Sequence, residues 1–187
     1  MARLPYVTRD SLPPEEQELY DRMASPNERL INIFAVLMHS PKLARRIASM
    51  VTYLLFRCSE TLSPQAREIV ILTTARELEC QYEWTHHIPW AKKVGLRDEV
   101  VEAIRDGLPV RRLLPKEGVF VQFARELVKE RRVQDATFNA VLHLLGPQGT
   151  MELTVTVGYY AMLAHVMPAL QVDLEQGLTP LLPEKGR

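Results

Sequence analysis

Apolar residues recur three and four positions apart along most of this chain, the spacing of one face of an α-helix, and proline, serine and glycine punctuate the runs. After a proline-bearing start, the first periodic run spans Glu15 to Met23, with acidic residues in the turn where the helix dipole favours them. The next, Glu28 to Met38, sets Leu30, Ile31, Ile33, Phe34, Leu37 and Met38 at helical spacing. From Pro41 to Arg57 the pattern is amphipathic, with Leu43, Ile47, Met50, Val51 and Leu54 on the side expected to face inward. Ser25-Pro26, Ser40-Pro41 and Ser63-Pro64 mark the junctions. Serine, or Asn27 after the first of them, can cap a helix, and proline suits the first helical position.

Ile69 to Thr74 is β-branched like a strand, but its flanks, Gln65 to Glu68 and Ala75 to Leu78, favour a helix. A helix starting near Cys80 should end at Gly95, and a short one from Asp98, its expected cap, to Arg105 should stop at Gly107. Lys116 to Arg132 would turn Val119, Phe120, Phe123, Leu127 and Val128 inward. Asp135 is placed to cap Ala136 to Leu145, which stops at Gly146-Pro147. Thr150 to Val166 is apolar on most sides, as expected of a central helix or a subunit contact. The pattern predicts an all-α, single-domain helical bundle over 15–170. An extended arm at 1–14, able to lie over a neighbour, and an irregular tail at 171–187 flank it.

The composition narrows the function. With 187 residues, 47% of them hydrophobic, the chain can build one real core. Its 23 basic and 23 acidic residues cancel and form no long block, which argues against nucleic-acid or membrane-surface partners. Zero net charge also permits self-association. No run is expected to approach a membrane span, and the first residues lack a signal core. Cys58 and Cys80 have no scaffold-like spacing, so free thiols in the cytoplasm are expected.

Reactive side chains collect in one place. On a helix from Cys80, the residues Cys80, Glu83 and His87 fall within roughly 60° of one another, on a stripe with Trp84, Ala91 and Val94, while Gln81, Thr85, Lys92 and Lys93 form a solvated face. Glu68 shares a stripe with Leu72 and Ala75 and can point inward too. Each group also has a plain reading. Cys80 can be a small hydrophobe, and Glu68 or Glu83 can pair with Arg67 or Arg76. His87 can be a satisfied core histidine, and Tyr82, Trp84 and Trp90 can be packing rather than pocket wall. Glu83-x-x-His86 has the spacing of di-iron bundles, but no second copy exists, so no metal is expected. No glycine-rich phosphate loop or Ser-based nucleophile motif is present, and a cofactor-free protein is expected.

The stretch around Glu68, Cys80 and His87 resembles the carboxymuconolactone decarboxylase family, which includes the alkyl hydroperoxidase D-type enzymes. In the peroxidase branch a glutamate, eleven residues, Cys-x-x-Cys, three residues and a histidine form the motif. Here Glu68, Cys80 and His87 match, and Glu83 stands at the second cysteine. The wording CQYEWTHH is similar to a non-redox subgroup in which Tyr-Glu-Trp replaces the second thiol, and Asn32 to Pro41 adds an NxFxxLxHSP-like segment. The resemblance implies a trimeric or hexameric helical bundle acting on a small molecule.

Three functions stay open. One is a cofactor-free acid-base lyase or isomerase on a carboxylated or lactone-type compound. It would use His87 as proton carrier, Glu83 as partner or second acid, Glu68 as orienting group, and Tyr82, Trp84 and Arg67 or Arg76 near the substrate. The second is a single-cysteine peroxidase built on Cys80, and the third a non-catalytic assembly protein.

Overall fold

The computed structural model describes residues 2–24, 29–58 and 60–183. Eight α-helices and two short 3-10 turns follow one another, and no strand occurs among the described residues. The helices are α1 (Pro14–Met23), α2 (Asn32–Leu37), α3 (Pro41–Phe56), α4 (Pro64–Glu77), α5 (Gln81–Lys93), α6 (Asp98–Arg105), α7 (Pro115–Glu130) and α8 (Asp135–Leu170). The all-α expectation therefore holds. The Ser25-Pro26-Asn27 junction lies outside the described residues.

Helix α4 is the axis of the bundle, packed on α5, α6, α7 and α8. Every residue from Ala66 to Ala75 is buried. Its β-branched centre is helical because burial outweighs propensity: helix formation costs such residues up to ~0.7 kcal/mol each, whereas full burial of an Ile or Val side chain gains about 1.5–3. The two threonines remove the remaining objection by donating into their own helix, Thr73 to Ile69 O and Thr74 to Val70 O, both at 2.7 Å. Ser63 caps the start, its Oγ accepting from Ala66 N at 3.2 Å.

Elsewhere the fold departs from the sequence pattern. Helix α2 is only six residues long, and its first N–H groups are capped from outside: Asn32 N donates to Glu175 and Ile33 N to the Tyr82 hydroxyl. Arg97 and Gln134, not Asp98 and Asp135, hold the cap positions of α6 and α8, and the aspartates occupy the first turns. On α3, Leu43 and Met50 face outward rather than inward, and Ala44 and Leu54 are the buried residues. The N-terminal arm lies on its own chain, with Arg3 N donating to Leu170 O and Val7 N to Ala35 O.

Helix α8 is long and apolar enough to cross a membrane by length and composition, contrary to expectation. In the fold it bends at Gly146 (φ 67°, ψ 179°) and packs on α4, α5 and α7, as a core helix does. Just past the bend, Gly149 lets α8 close on the loop before α4: a Cβ there would sit 2.5 Å from Thr61 O. The tail has no regular element, yet Leu182 is buried and Leu181 N donates to Thr85 Oγ1. Thr85 is accordingly buried beneath the tail, not part of a solvated face.

Candidate functional site

A tight reversal joins α4 to α5. Glu79 adopts a left-handed backbone (φ 54°), and Cys80 N donates to Ala75 O at 2.7 Å. Cys80 then caps α5, its carbonyl accepting from Trp84 N. This hairpin folds the middle of α5 back beside α4, so that His87 Nδ1 meets Glu68 Oε2 at 2.8 Å. Glu68 is 1% exposed, and its other oxygen, Oε1, is 3.7 Å from Arg67 Nε. Arg67 is itself buried, and its Nη1 donates to Leu54 O at 3.4 Å. A guanidinium, a carboxylate and an imidazole thus run in sequence into the core. No protein group bonds His87 Nε2 among the described residues, so the ring nitrogen opposite Glu68 is the one free to exchange a proton.

Glu83 sits one turn before His87 and is 3% exposed, yet neither carboxyl oxygen has a hydrogen-bond partner. Burial pushes its carboxyl well above the usual carboxylate range, and the nearby Cys80 thiol offsets only part of this. An unpartnered carboxylate in such a place would cost several kcal/mol, so the acid keeps its proton instead. Cys80 is pushed up to about 12 by burial first and by Glu83 second, against the pull of the Tyr82 and Glu83 backbone amides. Its thiol stays neutral.

Two groups from α8 that the sequence pattern did not single out complete the cluster. The Tyr160 ring stands edge-on to His87, centroids 4.9 Å apart at 86°, and touches Tyr159 at 5.3 Å. Burial, then the carboxyls of Glu68 and Glu83, raise the Tyr160 phenol well above its ordinary value. Tyr159 is raised by the same causes, burial and Glu83, and its hydroxyl donates to Ile47 O at 3.2 Å. Tyr160 lies on the stripe of Leu153, Val157 and Ala164, all buried, so helical phase marked it as inward. Nothing in the local sequence marked it as a neighbour of His87.

The other candidates lie apart from this cluster. Tyr82 and His86 stack on each other at 4.4 Å and face the tail, where both bond the Glu175 carboxylate, Tyr82 at 2.5 Å and His86 Nε2 at 2.7 Å. Burial alone would raise Glu175, but bonds from His86, Tyr82 and Asn32 N bring it down to about 2. Glu83 and His86 therefore serve different faces and do not act as a ligand pair. Arg76, eight residues beyond Glu68 and about 12 Å further along α4, donates to Arg105 O. Trp84 is core packing, and Trp90 is exposed, with Phe56 at 6.1 Å and Lys93 Nζ 4.8 Å over its ring. Another buried carboxylate, Glu152, accepts from Tyr53, Thr61 and Gln148 and ties α3 to α8.

Residues 41–126, from the start of α3 into α7, match the carboxymuconolactone decarboxylase family. That stretch, a little under half of the chain, carries the family likeness expected from Glu68, Cys80 and His87. The match takes in Glu68, Cys80, Glu83 and His87, whereas Tyr160 and Glu175 fall beyond it.

Solved structures agree in fold. An uncharacterized peroxidase-related protein with an alkylhydroperoxidase AhpD core, from Ralstonia eutropha JMP134, superposes with a TM-score of 0.76 at 16% identity, covering 94% of this chain and 93% of that one. An uncharacterized peroxidase-related protein from Silicibacter sp. TM1040 gives 0.76 at 17%, covering 95% and 93%. The debrominase Bmp8, in complex with 2,3,4-tribromopyrrole, gives 0.73 at 12%, covering 94% and 95%. At these identities the likeness speaks for the fold. No curated protein matches the sequence.

Proposed function

We propose that this carboxymuconolactone decarboxylase-like chain is a cofactor-free acid-base lyase or isomerase acting on a small carboxylated or lactone-type compound. We place it in the non-redox subgroup in which Glu83 replaces the second thiol. The observation that carries the reading is a buried Glu83 carboxyl with no partner, one helical turn from an imidazole bonded to Glu68. In a decarboxylation, the C–C bond to the carboxylate breaks, its electron pair moves onto a conjugated carbonyl as an enolate, and carbon dioxide leaves. His87 then delivers a proton through Nε2 to the carbon and is reprotonated from water, while Glu68 holds the ring by Nδ1. Glu83 stays protonated and donates to the developing negative charge.

The peroxidase reading is disfavoured by the neutral Cys80, since the thiolate is the form that attacks peroxide. We further propose a homo-oligomer in the cytoplasm. Leu43, Met50, Tyr53 and Phe56 on α3 are exposed, which supports a covered face, and light scattering tests it. Two free, buried cysteines fit a reducing compartment.

Turnover of carboxymuconolactone, read as carbon dioxide release, tests the reading with H87N and E83Q. The expected result is activity in the parent and a drop of about 10²–10⁴ in each variant. Unchanged turnover in both variants overturns it. So does a parent that leaves the lactone untouched and reduces peroxide in a Cys80-dependent way.

A further inference from the structure

The 2.8 Å contact between His87 Nδ1 and Glu68 Oε2 can be made in two ways. Either an ionised Glu68 accepts a proton held on Nδ1, or a protonated Glu68 donates to a bare Nδ1. Only the first leaves Nε2 as the nitrogen that gains and loses a proton. In the second, Nε2 carries the ring proton, and giving it up would leave an imidazolate. The choice falls to a neighbour that the acid-base reading leaves without a part.

That neighbour is Arg67. It is 5% exposed, and a guanidinium does not give up its proton in a protein. A buried charge needs a counter-charge, and Glu68 supplies it, with Arg67 Nε 3.7 Å from Oε1. No other carboxylate lies within 4.0 Å of the guanidinium among the described residues, so a protonated Glu68 would leave that cation alone in the core. The contact is longer than an N–H···O bond, and Nε has no hydrogen-bond partner. Glu68 therefore receives charge from Arg67 rather than a hydrogen bond. The guanidinium is held from the α3 side, where Nη1 donates to Leu54 O, the carbonyl that also accepts from Cys58 Sγ at 2.9 Å.

Building on the acid-base reading, we propose that Arg67 is the positioning residue that fixes the tautomer of His87. Its charge holds Glu68 ionised, Glu68 holds the ring proton on Nδ1, and Nε2 is left to exchange a proton with substrate. Glu83 on α5 and Tyr160 on α8 also stand near the ring, and neither bonds one of its nitrogens among the described residues. Arg67 acts only through Glu68 and touches no reacting atom. Because its effect is one of charge, lysine can stand in for it. Glutamine, polar but neutral, cannot.

Nitrogen NMR of the full-length protein, made with isotope-labelled histidine, separates protonated from bare imidazole nitrogens, and H87N identifies the His87 signals among the five histidines. The expected result is a protonated Nδ1 in the parent and in R67K at neutral and mildly alkaline pH. In R67Q the proton moves to Glu68, Nδ1 is bare and the ring carries its proton on Nε2. R67M repeats the neutral case with an apolar side chain, so the result does not hang on the folding of one variant, and circular dichroism establishes which variants are folded. A bare Nδ1 in the parent overturns the proposal. So does a folded R67Q or R67M that keeps the Nδ1 proton, or a folded R67K that loses it.

Lactone turnover separates this outcome from the acid-base reading. Where the parent turns over, kcat is expected to fall about 10²–10⁴-fold in R67Q with KM nearly unchanged, and R67K to return to within about tenfold of the parent. An Nδ1 proton that follows the charge at position 67, in a protein that leaves the lactone untouched, keeps the role of Arg67 and removes the lyase. Turnover with an Nδ1 proton indifferent to that charge keeps the lyase and removes the role of Arg67.

Discussion

Replacing Glu83 by glutamine tests the central electrostatic claim without any substrate. The unfolded chain holds this carboxyl at about its ordinary value, near 4.3, whereas the fold raises it by burial with no partner to offset the cost. The sign follows from linkage. Below the unfolded-state value both states carry the proton, and stability has no contribution from this ionisation. As the pH rises above it, the unfolded chain gives up its proton and the fold does not. Stability then falls by about 1.4 kcal/mol per pH unit until the folded-state value is reached. The loss accumulates over that whole window, against a total of only ~5–15 kcal/mol typical of a domain.

Glu83→Gln keeps the shape and removes the ionisation, so the variant gains on the parent by the same slope. Glu175 and Glu152, whose folded values are lowered, contribute stability that is present at neutral pH and lost in acid. The difference between variant and parent cancels their share. Urea unfolding followed by circular dichroism, at a fixed protein concentration and at about pH 5 and about pH 6, measures it. Parallel stability curves for the two proteins would mean that Glu83 is charged or partnered in the fold, and its role as an acid would fall with that result.

Two further outcomes follow from the same coordinates. Because Cys80 is pushed up to about 12, its alkylation by iodoacetamide at mildly alkaline pH should be roughly three orders of magnitude slower than that of a free thiol of ordinary pKa. Peptide mapping resolves it from Cys58, and a rate within tenfold of free cysteine refutes the neutral thiol. Gly149→Ala would drive a Cβ to 2.5 Å from Thr61 O and should cost about 1–3 kcal/mol in thermal or urea unfolding. Gly158→Ala meets nothing within 4 Å and should be neutral or slightly stabilising, and equal effects at the two sites would refute the close approach.

The helices were legible because each rests on local signals. Proline stands at the first helical position of α3 and α4 as expected, and α7 begins and ends within two residues of its expected bounds. The stripe of Cys80, Glu83 and His87 was legible for the same reason, since helical phase alone puts the three together. What sequence spacing could not carry is contact between distant segments. The Glu68 partnership with His87 depends on the reversal at Glu79 and Cys80, and Tyr160 reaches His87 only because α8 packs on α5. Leu43 and Met50 were placed inward because periodicity finds an apolar face without saying what covers it. Thr85 was placed outward because the tail that buries it, lacking any periodic pattern, gives no sign of where it docks.

The residue at position 83 decides which chemistry this scaffold can support. The Glu68 and His87 pair would serve a thiol as readily as a carbonyl substrate, because an imidazole held at Nδ1 by a buried carboxylate can take a proton from either at Nε2. A cysteine at that turn of α5 would place an electron-pair donor within reach of the pair. Glu83 instead places a proton donor there, and burial, the first cause of the raised Cys80 value, keeps the neighbouring thiol neutral. On the proposed acid-base reading, the cluster then suits reactions in which negative charge accumulates on a bound oxygen rather than on sulfur.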